Sequence, residues 1–139
     1  MVGMSIVTKN TWGGVVNKFN KDATNTSNGY VNNAYILSNG NVYESDGYSI
    51  SEYIPVKPSQ SYTLVYGNSL SRPSICFYNS NHEFISGTNY NGSSTITFTT
   101  TANIAYCRLS YANNLSGAVM LNEGSTALPY HPYYEWVEQ

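Results

Sequence analysis

Tyr66, Asn68, Arg72, Asn89, Tyr90, Tyr111 and Asn113 are the residues whose types and spacing best suit chemistry in this chain, and that chemistry is recognition of a neutral polar ligand. A tyrosine ring offers contact area with few rotatable bonds, and an asparagine amide offers one acceptor and two donors. Arg72 adds a planar fork of donors, precedes a proline, and is one of only two arginines. On this reading Tyr90 stacks on a pyranose face, Arg72 reaches hydroxyls or a phosphate substituent, and Asn89, Asn113 and Asn114 complete the edge contacts. The plain alternative is a set of loops with solvent-facing polar residues. Sequence offers little else that reacts. There is no Gly-x-Ser-x-Gly elbow, phosphate-cradling glycine loop or His-Glu-x-x-His. Glycoside cleavage would need a carboxylate pair such as Asp46 and Glu52 to meet in space. His82-Glu83 is an isolated dipeptide beside a turn, and His131 sits far from it between Tyr130 and Pro132, so zinc is not expected. The chain reads as non-enzymatic.

Composition supports the same ligand class. Fourteen tyrosines and eighteen asparagines stand beside only six Lys+Arg and eight Asp+Glu, so the surface is uncharged, aromatic and rich in hydrogen-bonding groups. That combination suits a sugar, and it lacks the basic footprint that nucleic acid requires. Tyr and Thr are also ordinary strand formers, and Asn and Gly ordinary turn formers, so all-β structure explains the composition equally well. A net charge of −2 implies no steering toward membranes, and no stretch approaches the ~20 apolar residues of a spanning helix. The opening Met1-Val2-Gly3-Met4 lacks the pattern of a signal peptide and is equally compatible with a piece of a longer protein. The sequons at Asn25, Asn91 and Asn114 are expected by chance in so Asn-rich a chain. Cys76 and Cys107 each lie in an apolar run. A disulfide would join two strands, but nothing marks an oxidising compartment, so free buried thiols are expected.

The elements that must position these residues are short strands. No apolar 3.6-residue period persists, so helix is expected to be near absent. Ala34–Ser38 and Asn41–Ser45 flank Asn39-Gly40, read as a two-residue hairpin turn with both residues at positive φ. Tyr48–Val56, Ser61–Tyr66, Ser74–Tyr78, Glu83–Ser86, Ser94–Thr100, Ala105–Tyr111 and Ala118–Asn122 follow. Alternation turns Ile75 and Phe77 inward against Cys76 and Tyr78, and sets Cys107 and Leu109 opposite Tyr106, Arg108 and Ser110. A face carrying Tyr78, Tyr106 and Arg108 is either solvent or a shallow groove. The expectation is a jelly-roll-like two-sheet β-sandwich of about eight to nine short antiparallel strands. Reversing strand by strand puts loops 67–73, 87–93 and 112–117 at one end, and this rim is the expected site because binding residues gather on loops held by a rigid scaffold.

The order of several strings carries a resemblance. These are Phe19-Asn20-Lys21, Ser51-Glu52-Tyr53-Ile54-Pro55-Val56-Lys57-Pro58, Ile75-Cys76-Phe77-Tyr78-Asn79-Ser80-Asn81, Ala105-Tyr106-Cys107-Arg108-Leu109-Ser110 and Asn122-Glu123-Gly124-Ser125-Thr126-Ala127-Leu128-Pro129-Tyr130. Over roughly residues 17–134 the chain resembles the carbohydrate-binding jelly-roll domains of phage tail-tip and baseplate proteins of Gram-positive hosts. Residues 1–16 then read as an extension or linker, and 17–139 as the module. The resemblance implies a virion adhesin in extracellular contact with its host. Its partners would be cell-wall or capsular polysaccharide and other virion tail proteins, and a symmetric homo-oligomer is compatible with it. A structural assembly domain whose tyrosines face neighbouring chains is the competing expectation. No cofactor is required. The resemblance does raise a structural calcium drawing on Asn20, Asp22 and Glu123, against plain turn and cap roles. In the closing segment Leu128 and Tyr130 are expected to cover the sandwich.

Overall fold

Runs rich in Val, Ile, Tyr and Thr become strands in the computed structural model, which describes residues 4–7, 16–66, 74–89, 94–133 and 135–138. In chain order they are β1 (Met4–Val7), β2 (Val31–Ile36), β3 (Val42–Ile50), β4 (Ile54–Pro55), β5 (Ser61–Val65) and β6 (Ser74–Tyr78). Then come β7 (Phe84–Asn89), β8 (Thr95–Thr99), β9 (Tyr106–Ala112), β10 (Met120–Glu123) and β11 (Glu135–Glu138). Helix among the described residues amounts to two 3-10 turns, η1 (Thr26–Asn28) and η2 (Asn113–Ala118).

Nine strands form two antiparallel sheets, one ordered β10-β5-β8 and the other β2-β3-β9-β6-β7 with β4 also on β9; β1 pairs separately with β11. From β4 onward the chain crosses between sheets at every connection except the β6–β7 hairpin. The orders β4-β9-β6-β7 and β10-β5-β8 are those of a jelly roll. Residues 17–19 lie beside β10 where a further strand would stand, with Lys18 N–H donating to Leu121 O at 2.7 Å. Buried Asn17 secures them: its Oδ1 accepts from Leu121 N–H at 3.0 Å, and its Nδ2 donates to Val119 O and His131 O.

The main core lies between the sheets. Tyr62, Leu64, Tyr66 and Leu121 meet Ile75, Phe77, Cys107 and Leu109, as the alternation predicts. Much of the opposite face of β6 and β9 is covered, because the β2–β3 ribbon folds across it. Between Asn32↔Ser49 and Ala34↔Glu44 the pairing steps two residues on β2 but five on β3. Asn33 (φ 55°) and Gly47 (φ 87°) supply the positive φ at this bulge. The ribbon is then held by Ile36 N–H donating to Ser110 Oγ at 2.7 Å and by Cys76 Sγ–H donating to Leu37 O at 3.1 Å. Gly87 admits it: a Cβ there would collide with the Ser38 carbonyl. Ala34, Ile36, Ile50, Cys76 and Tyr78 form a second small core beneath the ribbon. Both cysteines are buried and free.

Two local expectations are corrected. Asn39 does not adopt positive φ; only Gly40 does, at 88°. The loop has three residues, closed by Gly40 N–H to Leu37 O and Leu37 N–H to Asn41 O, both 2.9 Å. A three-residue hairpin loop needs the left-handed conformation only at its last position. Leu128 and Tyr130 do not cover the sandwich but stand 45% and 46% exposed. Asn122 fixes this segment through its backbone, accepting from Leu128 N–H and donating to Thr126 O, which leaves the side chains turned outward.

Candidate functional site

The strands that bound the expected rim are described: Val65↔Thr95 and Val65↔Met120 align the ends of β5, β8 and β10 in one sheet, and Ser74↔Asn89 aligns those of β6 and β7 in the other. Its residues differ in kind. Asn68, Arg72 and Tyr90 lie outside the described residues. Tyr66 is fully buried with its hydroxyl donating to Ser110 O at 2.8 Å, so its ring packs in the core instead of meeting a ligand. Tyr111 is buried edge-on to Phe19 at 4.9 Å, and burial pushes its hydroxyl up to about 12. Both tyrosines fall on inward positions at the strand ends, which their place next to a loop does not reveal. Asn89 and Asn113 are exposed, Asn89 on β7 and Asn113 accepting from Ser49 Oγ at 2.6 Å.

A built cleft lies elsewhere, where strand pairing breaks between β3 and β4. Ile50 pairs with Ser110 and Ile54 with Cys107, so this strand carries one residue more than β9 over the interval. Ser51 fills the gap in the ladder: its N–H donates to Leu109 O, and its Oγ accepts from Leu109 N–H at 3.0 Å. Glu52 and Tyr53 are thereby turned out of the sheet. The Glu52 carboxylate accepts from Asn25 N–H and Asn28 Nδ2, both at 2.8 Å, and Tyr53 N–H donates to Asn28 O. These bonds draw the 17–29 segment against the break. Between them opens a cleft of about 90 Å³, whose apolar lining is Phe19, Ala23, Ile54 and Pro55. Lys18, Asn20, Ser51 and Glu52 supply its polar lining, and Tyr53 and Tyr133 its aromatic lining.

Tyr53 is also the roof of a cationic cluster. Its ring stacks on His82 at 3.9 Å and meets Tyr78 edge-on at 5.0 Å. Arg108 Cζ lies 4.9 Å from the Tyr53 centroid and 5.7 Å from that of Tyr78. Arg108 is 9% exposed, and its guanidinium donates to Gly29 O at 2.5 Å and to Tyr78 Oη at 3.4 Å. Its Nε has no partner among the described residues. The face read in sequence as Tyr78, Tyr106 and Arg108 is therefore assembled, but Tyr78 and Arg108 are buried and only Tyr106, Tyr53 and His82 reach the surface. Arg108 positions Tyr53 through the cation–π contact.

Comparison with family models, with curated proteins and with solved structures finds no match.

The remaining candidates make local contacts. Asn20 Oδ1 caps Asp22 N–H, Asp22 pairs with Lys21, and Glu123 pairs with Lys57 at 2.9 Å. No group of three or more His, Cys, Asp or Glu is gathered among the described residues. Asp46 stands exposed in the β3 bulge, while Glu52 is engaged by Asn25 and Asn28. His82 takes φ 64° at the close of an Asn79 turn, held under Tyr53. Sequence reasoning missed the cleft. Its signal was Ser51-Glu52-Tyr53, a polar triplet interrupting the strand-like run 48–56.

Proposed function

We propose that this chain is a non-catalytic carbohydrate-binding module, serving host cell-surface polysaccharide recognition in a phage tail or baseplate adhesin. The observation that carries the reading is the cleft beside Tyr53: concave, walled by two tyrosines, and set in a surface with few charges. Concave sites with an apolar lining and a few convergent polar groups are where small ligands bind. Tyr53 is held by Arg108 and His82, so its ring is ordered before a ligand arrives. A pre-ordered ring loses little entropy on binding. The virion context rests on the resemblance in the strand strings alone. A glycan array identifies the ligand, and calorimetry with variants tests the site. Tyr53→Ala weakens binding by about 1–2 kcal/mol, about 5–30-fold, while Tyr53→Phe keeps most of it. Loss of binding in Arg72→Ala or Tyr90→Ala with Tyr53→Ala unaffected moves the site to the rim.

One observation favours a second reading, an assembly domain contacting neighbouring chains. Val42, Tyr43, Phe84 and Ile85 are exposed, and Gly40 at the ribbon tip sits against Phe84. Phe84–Asn89 carries no charge and no proline, and among the described residues it pairs only with β6. Edge strands without such protection are templates for another chain. Light scattering decides it: this reading expects a concentration-dependent oligomer that Ile85→Lys dissolves, and a monomer at high concentration ends it.

A further inference from the structure

The cleft is small and chemically mixed, and the two properties together narrow its ligand. About 90 Å³ is well below the ~300 Å³ at which pockets enclosing a whole small molecule begin. It therefore seats a substituent, with the sugar ring that bears it outside against Tyr53 or Tyr133. A bare hydroxyl would leave Phe19, Ala23, Ile54 and Pro55 uncovered, and a bare alkyl group would strip water from the polar wall without replacing it. A carboxylate or phosphate would have Lys18 on one side but Glu52 on the other, and an ammonium would have Glu52 but also Lys18, so a net charge of either sign gains little. Glu52 retains acceptor capacity, since its two oxygens offer about four lone-pair sites and two are used. The Lys18 ammonium has no hydrogen bond or ion pair among the described residues. One neutral group uses all three walls: its N–H donates to a carboxylate or hydroxyl, its carbonyl accepts from an ammonium or amide, and its methyl lies on the apolar side.

We propose that this cleft is an acetamido seat and that the polysaccharide bound is one built with N-acetylated sugars. The inference rests on the carbohydrate reading and names the ligand class of the same site. The test uses matched oligosaccharide pairs that differ only in an N-acetyl group against a hydroxyl, measured by calorimetry with the intact chain. Within the pair that binds, the N-acetylated member is tighter by at least about tenfold. Ala23→Leu, which narrows the cleft, removes that preference. Saturation-transfer NMR on the wild-type chain gives a reading that does not depend on the variant folding, and the acetyl methyl receives the strongest transfer. Pairs that bind equally, a preference that survives Ala23→Leu in a folded variant, or a methyl that receives least transfer overturn the acetamido seat while leaving carbohydrate binding in place. Absence of binding by every oligosaccharide overturns both.

Discussion

Arg108 is a buried cation that stands without a carboxylate among the described residues. Two ring faces and the Gly29 carbonyl take the place of a counter-ion, and desolvated cation–π contacts of this kind are worth up to about 2 kcal/mol. A lysine would keep the charge but lose the planar fork that reaches Gly29 and Tyr78 together. Arg108→Lys therefore lowers unfolding stability by about 1–3 kcal/mol, read as a drop in urea midpoint. An unchanged midpoint contradicts this role. The thiols give a second prediction at this scale. Burial pushes Cys76 up to about 11 and raises Cys107 as well, and the reactive species is the thiolate. Two groups titrate with a thiol reagent in the unfolded chain and label slowly in the folded one. Rapid labelling of either under native conditions contradicts the packing described.

At the scale of elements, the β2–β3 ribbon closes one side of the molecule. It approaches β7 so closely at Gly87 that an alanine Cβ would meet backbone at Ser38 and sulfur at Cys76. Overpacking of this kind costs typically about 1–3 kcal/mol. Gly87→Ala lowers the thermal midpoint accordingly, whereas Gly117→Ala, whose added Cβ meets nothing within 4 Å, is the control. Equal midpoints for the two would remove the ribbon from its place. The strands themselves were legible in the sequence. Ile75, Phe77, Cys107 and Leu109 alternate with the period of two that a half-buried strand requires, and Asn, Gly and Pro mark the turns. The fold of the ribbon over β6 and β9 was not legible. It depends on one asparagine at positive φ, an uneven bulge and a glycine that gives way, none of which leaves a periodic trace. The cleft was half legible: Ser51-Glu52-Tyr53 interrupts a strand, but the partners that Glu52 finds are 24 and 27 residues away.

For the whole molecule, buried tyrosines and cysteines set the response to alkali. Tyr78 and Tyr111 are pushed up to about 12 and Cys76 to about 11, in each case first by burial. In the unfolded chain these groups lose protons near 10 and 9, before they do in the fold. The folded state binds the proton more tightly, so its advantage is complete below about pH 9 and is lost as pH rises toward 11–12. Each group that titrates only in the unfolded chain removes about 1.4 kcal/mol per pH unit. Urea midpoints stay level from neutrality to about pH 9 and fall above it, more steeply past about pH 10 as the tyrosines join. A midpoint that holds to pH 11 contradicts the burial of these groups.

The proposed function requires a sugar bound, uncleaved, beside Tyr53. A crystal of the chain soaked with an oligosaccharide that scores on a glycan array would show whether it is. The expected result is an ordered sugar ring lying against Tyr53 or Tyr133, with a substituent in the cleft lined by Phe19 and Ala23 and every glycosidic bond intact. Sugar ordered at the 67–73 and 90–93 rim with the cleft empty, a cleaved product, or no oligosaccharide bound at millimolar concentration would contradict it.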